Sequence, residues 1–88
     1  MASYKVILKP SVENDLRFLP REAVKRVFRR IEMLKDDPLP RQSLKLSGAE
    51  RLYRVRVGEY RIIFGVDKKH LQVTIHHVRH RRDVYRQL

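Results

Sequence analysis

The spacing of hydrophobic residues changes from helical to alternating about halfway along the chain. A short β-branched run, Tyr4 to Lys9, predicts a first strand that Pro10 ends. From Ser11 to Leu19, apolar residues recur every three or four positions, which predicts a helix with Ser11 as its cap. From Arg21 to Lys35, one apolar stripe lies opposite a basic face. The first half therefore predicts one strand followed by two helices.

The second half contains three runs in which apolar and polar residues alternate, Arg51 to Val57, Tyr60 to Val66 and Leu71 to Val78. Gly58-Glu59 predicts a type II′ hairpin turn, whose first residue needs a positive φ. We expect one α+β domain over residues 1–88, a small twisted, mainly antiparallel sheet in the order β-α-α-β-β-β. Both helices should pack on one face, and a short basic tail should follow. The first strand should join a later strand in parallel, because a two-helix connection can make that crossover.

The alternation predicts which side chains share a face of the sheet. With Gly58-Glu59 as the loop, Arg56 lies across from Arg61, and both share a face with Arg54. We call this the arginine face. Like charges directly across a hairpin destabilise it, since their Cβ atoms are only ~5 Å apart, so this face is expected to bind an anion. The helices should cover the opposite face, with these residues buried: Phe28, Ile31, Val55, Ile62, Phe64 and Val73.

The second hairpin should extend the arginine face. A four-residue turn after Val66 would pair Val66 with Leu71. Continuing that register places His76 on the arginine face, across from Arg61, and His77 on the core face, where it would be a hydrogen-bonded histidine at the edge of the core.

The charge of the chain is strongly positive and uneven. There are 21 lysines and arginines against ten aspartates and glutamates, a formal net charge of +11. Twelve of the bases and four of the acids lie in residues 41–88. Fourteen of the bases are arginine, whose guanidinium makes bidentate contacts with phosphate. Such a field attracts polyanions, with nucleic-acid backbones the usual partner and anionic lipid the less common one.

The lack of cysteine and of long apolar runs excludes several kinds of site and indicates where the protein is located. The chain has no cysteine, which excludes disulfides, thiolate metal sites and a thiolate nucleophile. No apolar run approaches the ~20 residues that span a bilayer, and the first ten residues lack the apolar stretch of a signal peptide. We expect a cytoplasmic protein with no membrane partner.

Three short motifs follow one another in the second half. They are a basic-x-basic strand, a Gly-x-Tyr-Arg turn and a terminal His-Arg-Arg-Asp-Val-Tyr, within KLSGAERLYRVRVGEYRIIFGV (residues 45–66) and VTIHHVRHRRDVYR (residues 73–86). In this order, after one strand and two helices, they resemble the RelE family of bacterial and archaeal toxin–antitoxin toxins. The resemblance spans nearly the whole chain.

The resemblance implies a metal-free endoribonuclease that cuts messenger RNA in the ribosomal A site. The ribose 2′-hydroxyl attacks the adjacent phosphorus, which gives a 2′,3′-cyclic phosphate and a free 5′-hydroxyl. The implied catalytic positions are Arg54 and Arg56 on the strand, Arg61 as phosphate clamp, Arg81 in the tail and Tyr85 as the base-stacking tyrosine. The RNA-binding positions around them are Lys45, Arg51, His76, Arg79 and Arg82. No metal and no cofactor are implied.

The sequence departs from the family pattern at two positions, so the resemblance does not identify the residue that accepts the 2′-hydroxyl proton. Arg54 and Arg56 stand where the best-known relatives carry lysines, and arginine stays protonated, so it can only stabilise charge or orient groups. His80, beside Arg81, is the first candidate for the base because histidine titrates near neutrality, and some relatives place a catalytic histidine in the tail. His76 is the second. Otherwise the arginines would act by electrostatics, with water or ribosomal groups moving the protons.

Partners and other functions follow from the same resemblance. The partners implied are messenger RNA on the ribosome and a cognate acidic antitoxin, which should cover the arginine face or displace the tail. A gyrase-poisoning toxin of the related ParE type would share the scaffold without the catalytic basic set. A non-catalytic RNA-binding protein would need the arginines but not the tail tyrosine. The basic set favours the nuclease.

Overall fold

The elements of the chain follow the expected order, with one short strand added. The computed structural model describes residues 3–40, 43–45 and 52–80. Their elements are β1 (Lys5–Leu8), α1 (Pro10–Leu16), α2 (Arg21–Leu34), β2 (Leu44–Lys45), β3 (Leu52–Val57), β4 (Tyr60–Asp67) and β5 (Gln72–His80). The α+β fold with two helices on one face of the sheet is confirmed, and the two-residue β2 was not expected.

The strands form a five-stranded sheet in the order β1-β5-β4-β3-β2. β1 pairs in parallel with the first half of β5, and the other neighbours are antiparallel. The predicted parallel insertion of the first strand is therefore confirmed. The two helices provide the long connection that this parallel pairing requires.

The core lies between the two helices and one face of the sheet. The helices contribute Val12, Val27, Ile31 and Leu34, and the sheet contributes Val55, Ile62, Phe64, Val66, Val73, Ile75 and Val78. Five of the six residues expected to be buried belong to this cluster, but Phe28 is 40% exposed, so that prediction was wrong. The physical reason is helical geometry: Val27, Ile31 and Leu34 form the buried i, i+4, i+7 line, and Phe28 is rotated by about 100° from Val27.

Helix α1 continues the edge of the sheet where β1 ends. β1 pairs with β5 only as far as Ile75. Beyond that point, the Ser11 hydroxyl donates to the His76 carbonyl (2.6 Å), and the Val78 N–H donates to the Asp15 carboxylate (3.0 Å). Ser11 is therefore not the cap of α1, which begins after Lys9 without a side-chain cap. These bonds satisfy edge groups of β5 that no strand reaches.

The two hairpin turns differ in how well the sequence predicted them. Gly58 has a φ of 59° and Glu59 has no positive φ, as a type II′ turn requires. The second turn lies one residue later than expected, so that Asp67 pairs with Gln72. The carboxylate of Asp67 contacts the His70 ring (2.7 Å) and accepts the N–H groups of His70 and Lys69, which lowers the pKa of Asp67.

Candidate functional site

A row of three arginines crosses the sheet on the face opposite the helices. Arg56 on β3 lies across from Arg61 on β4, and Arg61 lies across from Arg79 on β5. The predicted pairing of Arg56 with Arg61 is confirmed. Arg54 is in the next row on the same face, across from Ile63. Because successive side chains alternate between faces, the buried Val55 and Ile62 fix the arginines on the other side.

Arg61 is partly buried in the middle of this row. Its Nη1 atom is buried, and no atom of the described residues accepts a hydrogen bond from it. A buried polar group left unbonded costs about 1–3 kcal/mol, and more when it is charged. Arg56 is exposed, and its Nε donates to the Gly58 carbonyl at 3.2 Å. The site therefore holds one guanidinium with a buried nitrogen that lacks an acceptor among the described residues, beside a second that is open to solvent.

The histidines lie elsewhere than the sequence predicted. Val66 pairs with Val73 instead of Leu71, and a bulge then shifts the register between Phe64 and Ile63. The bulge adds one residue on β5, so His77 pairs with Ile63 on the arginine face, and Val78 takes the core position. The expectation that His76 faces Arg61 was wrong because Arg79 takes that position. The placement of His77 on the core face was wrong for the same reason.

His76 lies near Lys9, at the end of β1. Burial lowers the pKa of His76, and repulsion from Lys9 and His77 lowers it further. The residue is held through its backbone, where its carbonyl accepts the Ser11 hydroxyl. The neutral ring is therefore the favoured form near pH 7.

His80 ends β5 and pairs with Tyr60, and the two rings meet edge to face with centroids 5.6 Å apart. Since Val78 is buried in the core and side chains alternate, His80 belongs to the helix-bearing face. The structure thus separates His80 from the arginine row, although the two are adjacent in sequence.

A carboxylate of helix α1 reaches the edge of the site. Asp15, whose side chain is 11% exposed, accepts a hydrogen bond from Nε of Arg79 at 3.2 Å. Its other oxygen lies 3.5 Å from Nδ1 of His77, and Nη2 of Arg79 is 3.3 Å from the same ring nitrogen. Asp15, His77 and Arg79 therefore form one contact group at the edge of the arginine face.

Of the remaining predicted site residues, only Lys45 belongs to the part of the chain that the structure describes. Lys45 is exposed on the edge strand β2, across from Tyr53. The predicted sites Arg51, Arg81, Arg82 and Tyr85 lie outside the described residues. Within residues 3–40, 43–45 and 52–80, no group of three histidine or acidic side chains is arranged to hold a metal ion. In the same ranges, no helix is both long and apolar enough to cross a membrane.

Basic charge continues from the arginine face around the first hairpin turn onto α2. A cavity of about 310 Å³ lies between α2 and this turn, lined by Arg26, Arg29, Arg30, Met33, Arg56, Val57 and Gly58. The hydrophobic pattern predicted a basic face on this helix. That its arginines lie next to Arg56 becomes visible only once the helix is packed on the sheet.

Comparison with known proteins agrees with this architecture. The family model of the ParE toxin of the type II toxin–antitoxin system parDE matches residues 6–85. The curated relative RelE1 of Methanocaldococcus jannaschii is 33% identical over 66 residues, which cover 72% of this chain and 73% of that protein. In the archaeal RelE–RelB complex from Pyrococcus horikoshii OT3, a chain superposes with a TM-score of 0.79 at 31% identity, covering 90% of this chain and 96% of its own. The toxin–antitoxin complex RelBE2 from Mycobacterium tuberculosis gives a TM-score of 0.79 at 28% identity, with 89% and 98% covered. The chain therefore belongs to the RelE/ParE family and is a toxin of a type II toxin–antitoxin system.

Proposed function

We propose that this toxin is a metal-free endoribonuclease that cuts messenger RNA in the ribosomal A site. The observation that carries the proposal is the row Arg56–Arg61–Arg79, in which Nη1 of Arg61 is buried without a partner among the described residues. An electropositive row of this kind stabilises the charge that develops on a phosphate under attack. The cleavage itself is the attack of the ribose 2′-hydroxyl on phosphorus, which yields a 2′,3′-cyclic phosphate and a free 5′-hydroxyl.

The other residues have the roles expected from the sequence. Arg54 and Arg56 stabilise charge, Arg61 holds the scissile phosphate, Arg81 assists from the tail, and Tyr85 stacks on a base of the codon. Lys45, Arg51, His76, Arg79 and Arg82 contribute to RNA binding. His80 remains a candidate for proton transfer, although strand alternation sets it on the face opposite Arg61.

We also propose that a cognate antitoxin neutralises the toxin. Solved relatives from Pyrococcus horikoshii and Mycobacterium tuberculosis are complexes of this kind, RelE with RelB and RelBE2. The antitoxin would cover the arginine face or displace the tail with an acidic or amphipathic segment. The net charge of +11 supports an acidic partner.

The test is to map the 5′ ends of transcripts on translating ribosomes after the chain is induced. The nuclease predicts new ends inside codons that occupy the A site, carrying a 5′-hydroxyl, and their loss in Arg61→Ala while the toxin still binds ribosomes. Arg21→Ala, an exposed arginine at the start of α2, serves as the matched control.

One finding favours a second candidate, since the matching family model is that of ParE toxins. A ParE-type activity would poison gyrase. It predicts cleaved DNA in a gyrase supercoiling assay and intact messenger RNA in the transcript map. Finding both results would replace the nuclease with the gyrase poison.

A further inference from the structure

One histidine occupies the arginine face among the described residues of β5. The bulge sets His77 across from Ile63, one row from Arg61 and Arg79. His77 is therefore a diagonal neighbour of Arg61 across the two strands. Residues in diagonal pairs are about 7–8 Å apart, and their Cβ atoms are somewhat closer. That distance is within reach of two side chains that act on one phosphodiester group.

Asp15 holds this histidine from one side. The carboxylate is nearly enclosed and has its position set by two donors, the N–H of Val78 at 3.0 Å and Nε of Arg79 at 3.2 Å. Its Oδ2 atom is 3.5 Å from Nδ1 of His77. The carboxylate is thus anchored to the same strand as the imidazole that it faces.

The contacts at Nδ1 of His77 determine which ring nitrogen carries the lone pair that can accept a proton. Arg79 can only donate, so its Nη2 atom favours an unprotonated Nδ1, whereas the carboxylate of Asp15 favours a proton there. The shorter of these two contacts is that of Arg79, at 3.3 Å, so Nδ1 donates to Asp15 only when the imidazole moves toward the Oδ2 atom, 3.5 Å away. In that tautomer the lone pair is on Nε2. A carboxylate that orients an imidazole in this way is a recurrent arrangement for general bases.

We propose that His77, oriented by Asp15, is the group that accepts the 2′-hydroxyl proton during cleavage, with Asp15 as a positioning residue. The inference rests on the proposed nuclease function. Nε2 takes the proton as the O2′–P bond forms and the P–O5′ bond breaks. The leaving 5′-oxygen keeps that electron pair and takes a proton from water, and the imidazolium then returns its proton to solvent. This assigns to His77 the role that arginines cannot fill.

The other described histidines near the site are less well placed. His80 packs its ring on Tyr60 on the opposite face, and His76 lies beside Lys9 instead of Arg61. The charged and titratable groups around His77 are Asp15 on α1, His76 and Arg79 on β5, Arg61 on β4, and Arg54 on β3 beyond Ile63. These neighbours set the pH dependence that the experiment measures.

The experiment measures single-turnover cleavage of messenger RNA on programmed ribosomes against pH, with ribosome binding measured in parallel. His77→Gln should lower the rate by about 100-fold or more, the usual contribution of a general base, and remove one ionisation from the profile. Asp15→Asn keeps an acceptor for the Val78 N–H but loses the charge. It should lower the rate less and shift the midpoint of the profile to lower pH. His70→Gln, in the exposed second turn, is the matched control and should behave as wild type.

Other results would contradict the role of His77, the role of Asp15, or both. An unchanged rate and profile in His77→Gln would remove His77 as the base, whereas an unchanged Asp15→Asn beside an inactive His77→Gln would remove only Asp15. Because a loss of folding would imitate a loss of catalysis, His77→Ala is also assayed with added imidazole. Recovery of the rate supports the proposal, and failure to recover in a folded, ribosome-binding variant contradicts it. If wild type does not cut at any pH, the nuclease function fails instead.

Discussion

Arg56 and Arg61 lie directly opposite each other on neighbouring strands, and Arg79 continues the row on the next strand. Like charges in that position oppose folding by roughly 0.2–1 kcal/mol per pair. In addition, Nη1 of Arg61 is buried without an acceptor among the described residues. The row is therefore a local cost to stability that an anionic ligand would remove.

Replacing Arg61 should separate stability from activity. Arg61→Met keeps most of the apolar stem and removes the charge, so the free energy of unfolding should rise by about 1 kcal/mol. Cleavage should fall sharply in the same variant. Urea unfolding of the free toxin measures the first effect, with Arg21→Met as a control that should change stability by less than about 0.5 kcal/mol. A less stable Arg61→Met would contradict the view that the guanidinium is uncompensated.

Gly58→Ala should weaken the first hairpin. Gly58 has a φ of 59°, and a Cβ atom there would lie 3.1 Å from the guanidinium nitrogens of Arg26. We expect a loss of about 1–2 kcal/mol from the backbone conformation, measured by thermal unfolding. Gly58→Ala combined with Arg26→Ala tests the cause. Because the Arg26 side chain ends in a flexible group that can move away, the double variant should recover little stability, and a full recovery would show that contact was the cause.

The sequence predicted the topology because hydrophobic spacing reports directly on which face of an element is buried. It also predicted Arg56 across from Arg61, since Gly58 defines a two-residue turn and therefore the register on both sides. The register of the second hairpin was wrong from the turn onward, since Val66 pairs with Val73. The predicted faces of β5 still held as far as Ile75, beyond which a bulge shifts the register by one residue. A shift of one residue moves every later side chain to the other face.

The sequence contains a signal of the bulge. Val73 and Ile75 keep a period of two, but the next apolar residue is Val78, which breaks it. Taking Val78 as a core residue would have placed His77 and Arg79 on the arginine face. The contacts of Asp15 could not be predicted in this way, because they join residues 63 and 64 positions apart through the packing of α1.

Stability should depend on pH through His76. The pKa of His76 is lowered in the folded state, so below about pH 6.5, its ordinary value, the unfolded chain binds more protons than the folded chain. Stability should therefore fall as the pH decreases through 6.5 toward the folded pKa. His76→Gln should make the free energy of unfolding less dependent on pH in this window.

The pKa of the same ring can be followed directly. NMR titration should show the pKa of His76 rising in Lys9→Met, because the repulsion from the lysine is removed. Lys68→Met, an exposed lysine of the second turn, is the control and should leave it unchanged. A titration of His76 at or above its ordinary value in wild type would contradict the effect of burial.

Binding of the proposed antitoxin should depend on salt and on the arginine face. If an acidic segment covers that face, the dissociation constant should increase as salt is raised from low to physiological concentration, since screening shortens the range of the attraction. Replacing Arg54 and Arg56 together by glutamine should weaken binding and flatten the dependence on salt. The matched control replaces Lys68 and Lys69, two exposed cations in the turn at the other end of β4, and should change affinity little. Calorimetric titration of the toxin with its antitoxin gives both quantities. A complex that is insensitive to salt and equally tight with the double arginine variant would show that the antitoxin neutralises the toxin from a different surface.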